Sequence, residues 1–191
     1  MTLKKWMAAF CCGALLVGLT ACGDKDSTAG SAPADVSLSP HSELAEDKDN
    51  PVNYSNFEKL ALGGSLKDAE ALFGGKGKKV ADRDKTTTYA WTGNGLGNLS
   101  VTLADGKIIE KAQTDLTDRQ AKLTPEVLSQ VGEGMSLDQL KALLGEPALV
   151  RQAKGEDGKT EVTYEWKQAD GAAVTALFID NQPFSVTKPA V

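Results

Sequence analysis

Beyond residue 41 the chain has neither cysteine nor histidine. The three cysteines are Cys11, Cys12 and Cys22, and the one histidine is His41. This excludes a thiol nucleophile, a disulfide, an imidazole general base and a Cys/His metal site from the rest of the chain. A glycine-rich phosphate loop after a strand and a G-x-S-x-G turn are also missing. The glycines of GNGLGN, residues 93–98, lie between two strand-like segments and read as a hairpin loop. Paired acids, Asp82 with Asp84 and Glu156 with Asp157, read as solvated turn residues. Positive charge is not in excess. Lys and Arg number 21 against 26 Asp and Glu, for a net charge of -5, which speaks against nucleic acid as a partner. The sequence therefore predicts no catalytic residue, no metal site and no cofactor, and a protein that is not an enzyme.

Long apolar runs are missing too, apart from one near the start. Lys4 and Lys5 precede an uncharged apolar stretch, Trp6 to Leu19. It is shorter than the roughly 18 to 20 residues a membrane span needs and has the layout of a secretory signal. Leu19-Thr20-Ala21-Cys22 resembles the lipobox of bacterial lipoproteins. That resemblance implies signal-peptidase recognition through Leu19, Thr20 and Ala21, and lipidation of Cys22. Gly23, not an aspartate, follows the cysteine, which by the enterobacterial sorting rule implies the outer membrane, facing the periplasm. Residues 1–21 are then a signal peptide. Residues 22–53, rich in Ser, Ala, Asp and Pro, are expected to be a lipidated cysteine and flexible tether.

The remaining chain repeats itself. GGSLKDAEALFGG (63–75) matches GMSLDQLKALLGEP (134–147), with Ser65 and Ser136 71 residues apart. TTYAW (87–91) matches VTYEW (162–166), and LADG (103–106) matches FIDN (178–181), both 75 apart. Two copies of one small module follow, assigned to 54–116 and 117–191. In each, a short helix comes first. Ser55 with Glu58 has capping-box form, and Thr124-Pro125 places a cap before a first-turn proline. Gly63 and Gly64, then Gly132 and Gly134, are expected to end these helices. A second helix is predicted behind Ser65 and Ser136. Its apolar stripes, Leu66, Ala69, Leu72 and Phe73 and then Leu137, Leu140, Leu143 and Leu144, face the core.

Strand alternation follows. Thr87, Tyr89 and Trp91 point one way and Thr88, Ala90 and Thr92 the other; Val162, Tyr164 and Trp166 oppose Thr163, Glu165 and Lys167. Asp105-Gly106 and Asp180-Asn181 read as hairpin turns. With first strands at 78–83 and 148–153 and last strands at 107–113 and 182–187, each module has two helices and about four antiparallel strands. The fold class is α+β, with helices on one face of the sheet and the other face open and concave.

Two helices followed by a meander, duplicated, resembles the beta-lactamase inhibitor protein (BLIP) fold. The motif G-M-S-L-x-Q-L-x-x-L-L-G-x-P, Gly134 to Pro147, is similar to the helix signature of the small outer-membrane lipoproteins of the barrel-assembly machine. The first copy lacks the Met and the closing Pro, and the chain cannot make the disulfides of the secreted inhibitor. The resemblance implies a binding protein of the cell envelope, held to the membrane by Cys22, whose partner is another envelope protein. The exposed-face candidates for the contact are Thr88, Thr92, Thr163, Glu165, Lys167, Leu177 and Ile179, with Gly95 and Leu96 in the hairpin loop. The alternative is an inhibitor of a secreted enzyme, such as a beta-lactamase or a wall hydrolase. A ligand carrier with Trp91 and Trp166 lining a pocket is a third reading.

Overall fold

A computed structural model of the chain describes residues 50–155 and 157–189. The signal peptide, Leu19 to Cys22, most of the tether and Glu156 lie outside them. The first helices are α1 (Tyr54–Lys59) and α2 (Leu66–Leu72). Strands β1 (Lys78–Arg83), β2 (Thr86–Thr92), β3 (Asn98–Ala104) and β4 (Lys107–Thr114) follow. The same order then recurs with α3 (Pro125–Gln130), α4 (Leu137–Leu144), β5 (Ala148–Lys154), β6 (Thr160–Lys167), β7 (Ala173–Ile179) and β8 (Gln182–Thr187).

The helix starts follow from side chains that accept backbone N–H bonds. Ser65 with Asp68, and Ser136 with Gln139, form reciprocal capping boxes ahead of α2 and α4. Thr124 caps α3, with Pro125 in its first turn. For α1 the cap is Asn53, not Ser55. Asn53 is extended and its side chain accepts from the Asn56 N–H, which moves the helix start two residues upstream. The ends of α1 and α3 also differ from expectation. They stop at Leu60 and Val131, both extended and both buried, and the glycines lie beyond, in the turn to the next helix, where Gly63 and Gly64 also bond to Ile108 of β4. Burying these two side chains turns the chain away from the helix axis, and each contributes roughly 1.5 to 3 kcal/mol.

All eight strands join in one antiparallel sheet, in chain order from β1 to β8. In β3, Leu99, Val101 and Leu103 cluster with Tyr54, Phe57, Leu60, Ala69 and Phe73 of the first helical pair. In β7, Val174, Ala176 and Phe178 cluster with Leu128, Val131, Leu140 and Leu144 of the second. Ala148, Leu149 and Val150 belong to the first cluster, so the opening strand of the second half completes the core of the first half. Trp91 and Trp166 are core residues, 7% and 1% exposed. Their indole N–H groups donate to the carbonyls of Gly75 (2.8 Å) and Gly145 (2.7 Å), just past α2 and α4. Both rings are thus packed and hydrogen-bonded within the core.

Four bulges interrupt the ladders, at matching places. Lys79 and Ala81 pair with successive residues of β2, leaving Val80 extra; Leu149 and Arg151 do the same on β6, leaving Val150. Ile109 of β4 and Phe184 of β8 are the corresponding extra residues of the last hairpins. A bulge bends its strand and adds twist.

Candidate functional site

Between the two halves the ladder is short. β4 and β5 pair only at Glu110 with Ala153, Lys111 with Gln152, and Ala112 with Arg151. Beyond Ala112 the strands part, and side chains take over the bonding. The Gln113 amide donates to the Leu149 carbonyl (3.0 Å), and its oxygen accepts from the Leu116 N–H (3.0 Å). The Tyr54 hydroxyl accepts from the Leu149 N–H at 2.6 Å. Arg119 donates to the Pro147 carbonyl (2.6 Å) with its guanidinium 4.7 Å from the centre of the Tyr54 ring.

The parting leaves a cleft of about 420 Å³. Four residues nominated from the sequence line it together: Gly95, Leu96, Glu165 and Lys167. Leu96, at the tip of the β2–β3 loop, is 80% exposed. The loop closes through Gly93 N–H to the Gly97 carbonyl (2.7 Å) and rests on the segment after β4. A Cβ on Gly97 would come within 2.9 Å of Leu116 and 3.1 Å of two carbonyl oxygens, so only glycine allows that approach. Lys167 pairs with Asp115 at 2.7 Å, and that hydrogen bond holds the ammonium's pKa above its ordinary value. Of the charged residues lining the cleft, Lys167 and Asp115 thus neutralise each other.

Leu177 and Ile179 do not line the cleft. Register places Leu177 beside Thr163 and Ile179 beside Glu161, on the side of the sheet opposite Val174, Ala176 and Phe178. The same side carries Thr88 and Thr102, whose hydroxyls are 3.0 Å apart, with Ala90 and Ser100 in the next row. Thr92, at the end of β2, is exposed.

At the middle of this side stands a group not anticipated from the sequence. Arg151 donates through Nε and Nη2 to both oxygens of Glu110 (3.1 Å each) and through Nη1 to Glu161 Oε2 (2.9 Å). Ala153 lies between the two glutamates in register and is buried. Burial opposes the guanidinium's charge, but the bonds to Glu110 and Glu161 outweigh it and raise the pKa. Strict alternation puts Arg151 on the same side as Leu149, in the core. The Val150 bulge reverses that, and nothing in the composition of β5 announces it.

Among the described residues no group of three or more His, Cys, Asp or Glu could hold a metal ion. Among the same residues no helix is long and apolar enough to cross a membrane. The open side offers hydroxyls, aliphatic groups and carboxylates fixed by an arginine, which suit contact with another surface.

A family model described as beta-lactamase inhibitor (BLIP) matches residues 53–180. Among solved structures, the crystal structure of a candidate beta-lactamase inhibitor protein from Streptococcus mutans is similar, with a TM-score of 0.55 and 18% sequence identity. The likeness covers 71% of this chain and 93% of that one. At that identity it establishes the fold alone. A search of curated proteins finds no match.

Proposed function

Because the chain belongs to the beta-lactamase inhibitor (BLIP) family, we propose that it is a non-catalytic module that binds another protein through the open side of its sheet. The observation that carries this reading is the arrangement around Arg151. A rigid, half-buried set of charges stands beside Leu177 and Ile179 on the side opposite the residues packed against the helices. Rigid polar groups next to aliphatic ones are the composition of a contact surface. On this reading the two halves act as tandem modules that share one concave face, and the matched bulges, which bend a strand, support it. Leu96 and Gly95 at the loop tip, with Glu165 and Lys167 in the cleft, would form the rim of the contact.

The module is anchored to the cell envelope through lipidated Cys22, on the periplasmic face of the outer membrane, as an adaptor or an assembly or maintenance factor. Support comes from Lys4, Lys5, the apolar run to Leu19 and the Leu19–Cys22 motif. A photocrosslinking residue at Thr163 in cells tests the contact, with exposed Lys67 of α2 as the comparison site. A defined partner captured from Thr163 and not from Lys67 supports the reading, and equal or no capture sinks it. Incorporation of labelled fatty acid into wild type but not Cys22→Ala tests the anchor.

The family match also favours a second reading, inhibition of a secreted enzyme such as a beta-lactamase or a wall hydrolase. Titration of such enzymes with the purified protein separates the two readings. Stoichiometric loss of activity selects the inhibitor, and full activity at micromolar protein selects the adaptor.

A further inference from the structure

We infer that the partner meets the open side through a basic side chain, lysine or arginine, flanked by an aliphatic one, and that Glu161, Leu177 and Ile179 receive that pair. This rests on the protein-binding reading above and names the chemistry of the partner.

Three observations carry it. The first is charge. Arg151 is shared by Glu110 and Glu161, so the group holds two carboxylates for one guanidinium and keeps one negative charge in surplus. Glu165 adds another on the same side, two residues beyond Thr163, whereas Lys167 is neutralised by Asp115. The second is an open acceptor. Both oxygens of Glu110 are taken by Arg151, but Glu161 uses only Oε2, and its Oε1 accepts no hydrogen bond from the described residues. The arginine fixes the glutamate, so a cation arriving at Oε1 does not have to order it. The third is position. Ile179 lies directly across from Glu161, and Leu177 lies one step along the same face. Directly paired side chains on one face stand about 5 Å apart. A cation and an aliphatic group on neighbouring positions of a partner can therefore be satisfied together. Thr163, between Arg151 and Leu177 in register, is short enough to let the approach happen.

The test is selection of a random-peptide display library on the full 191-residue chain. The expected result is enrichment of Lys or Arg next to Leu, Ile or Val. Binding of the selected peptides should weaken as salt is raised. It should fall about fivefold in Glu161→Gln and about tenfold in Leu177→Ser. Glu161→Gln leaves the Arg151–Glu110 pair in place, so its thermal unfolding is expected to stay close to wild type. Selection on Glu161→Lys should replace the basic positions with acidic ones. Peptides without basic enrichment, or equal binding to wild type and Glu161→Gln, overturn the inference. The crosslink at Thr163 separates the two levels. A captured partner segment that is acidic or uncharged sinks this inference and keeps protein binding, whereas no captured segment sinks protein binding itself.

Discussion

Lys111 and Lys188 end on corresponding carbonyls of the two first helices. The Lys111 ammonium donates to Phe57 (2.9 Å), Glu58 (3.1 Å) and Leu60 (2.7 Å), and that of Lys188 to Leu128 (2.7 Å) and Val131 (2.8 Å). Phe57 and Leu128, like Leu60 and Val131, are 71 residues apart, the spacing of the helical repeat. The lysines themselves are not at repeat-related positions. Lys111 lies within β4, whereas Lys188 follows β8. Each supplies donors that the last turn of a helix lacks and puts a cation at its negative end. Both short helices end on Leu60 and Val131 without a glycine, and a lysine from β4 or from just past β8 serves their last carbonyls.

Lys111 is 1% exposed, and its removal takes a donor from three carbonyls, of which Phe57 keeps the Leu60 N–H. Lys111→Met is expected to cost about 2 kcal/mol, since unpaired buried acceptors outweigh the relief of removing a buried charge. Lys188→Met should cost less, because Lys188 serves two carbonyls nearer to water. Urea unfolding of the two variants checks the order. Equal losses would mean that burial at Lys111 adds nothing.

The same lysine sets a pH dependence. Burial pulls its pKa from 10.5 down to about 8, against the opposing pull of Glu58. Below about pH 8 both the folded and the unfolded chain carry the proton, and the penalty stands in full. Between about 8 and 10.5 the unfolded chain binds more protons, so this group's contribution to stability rises with pH. The stability of wild type relative to Lys111→Met should be flat below pH 8 and climb above it. A difference that stays flat from pH 7 to 10 would place the ammonium outside this description.

Tyr54→Phe isolates the seam between the halves. It deletes the acceptor of the Leu149 N–H and leaves the ring in place. A loss of about 1 to 2 kcal/mol is expected, with faster hydrogen exchange at Leu149 than at Ala176 in the second core. Unchanged exchange at Leu149 would show that water replaces the hydroxyl without cost.

The outer edges of the sheet are denied the side chains that hold its middle. In register, Ser185 and Ala81 stand where the seam has Glu110 and Arg151, and Lys79 stands where it has Leu149. Charge along β1 further discourages strand addition. A variant combining Ala81→Arg, Ser185→Glu and Lys79→Leu is expected to associate end to end, with a sedimentation coefficient that rises with concentration relative to wild type. Identical sedimentation would show that these three positions do not guard the edges.

What could be read from the sequence was local. Ser65 with Asp68, Ser136 with Gln139, and Thr124 with Pro125 announce helix starts because donor and acceptor are three residues apart. The turns at Asp105-Gly106 and Asp180-Asn181 are equally local, and four of their residues adopt positive φ. At α1 two local signals competed, and Asn53 prevailed over Ser55. The lysine caps reach across 51 to 60 residues, and no short pattern encodes them. The single sheet depends on β4 meeting β5, and its seam brings Tyr54 to Leu149, 95 residues away. For the candidate surface, alternation placed Leu177 and Ile179 opposite the core side of β7. Alternation could not have placed Arg151, because one extra residue, Val150, exchanges the two sides of β5.

A sheet whose strands lie in chain order also dictates a sequence of events. Within each half every strand pairs with its immediate successor, so those hairpins close short loops and form early. The first core, however, includes Ala148, Leu149 and Val150, and its Tyr54 hydroxyl waits for the Leu149 amide. As the chain emerges from its N-terminus, the first half is expected to remain unfinished until the second half supplies its opening strand. Chains truncated after residue 120 should therefore be protease-sensitive, and chains extended through residue 154 should protect the first half. The two halves are copies in pattern, but in time the first depends on the second.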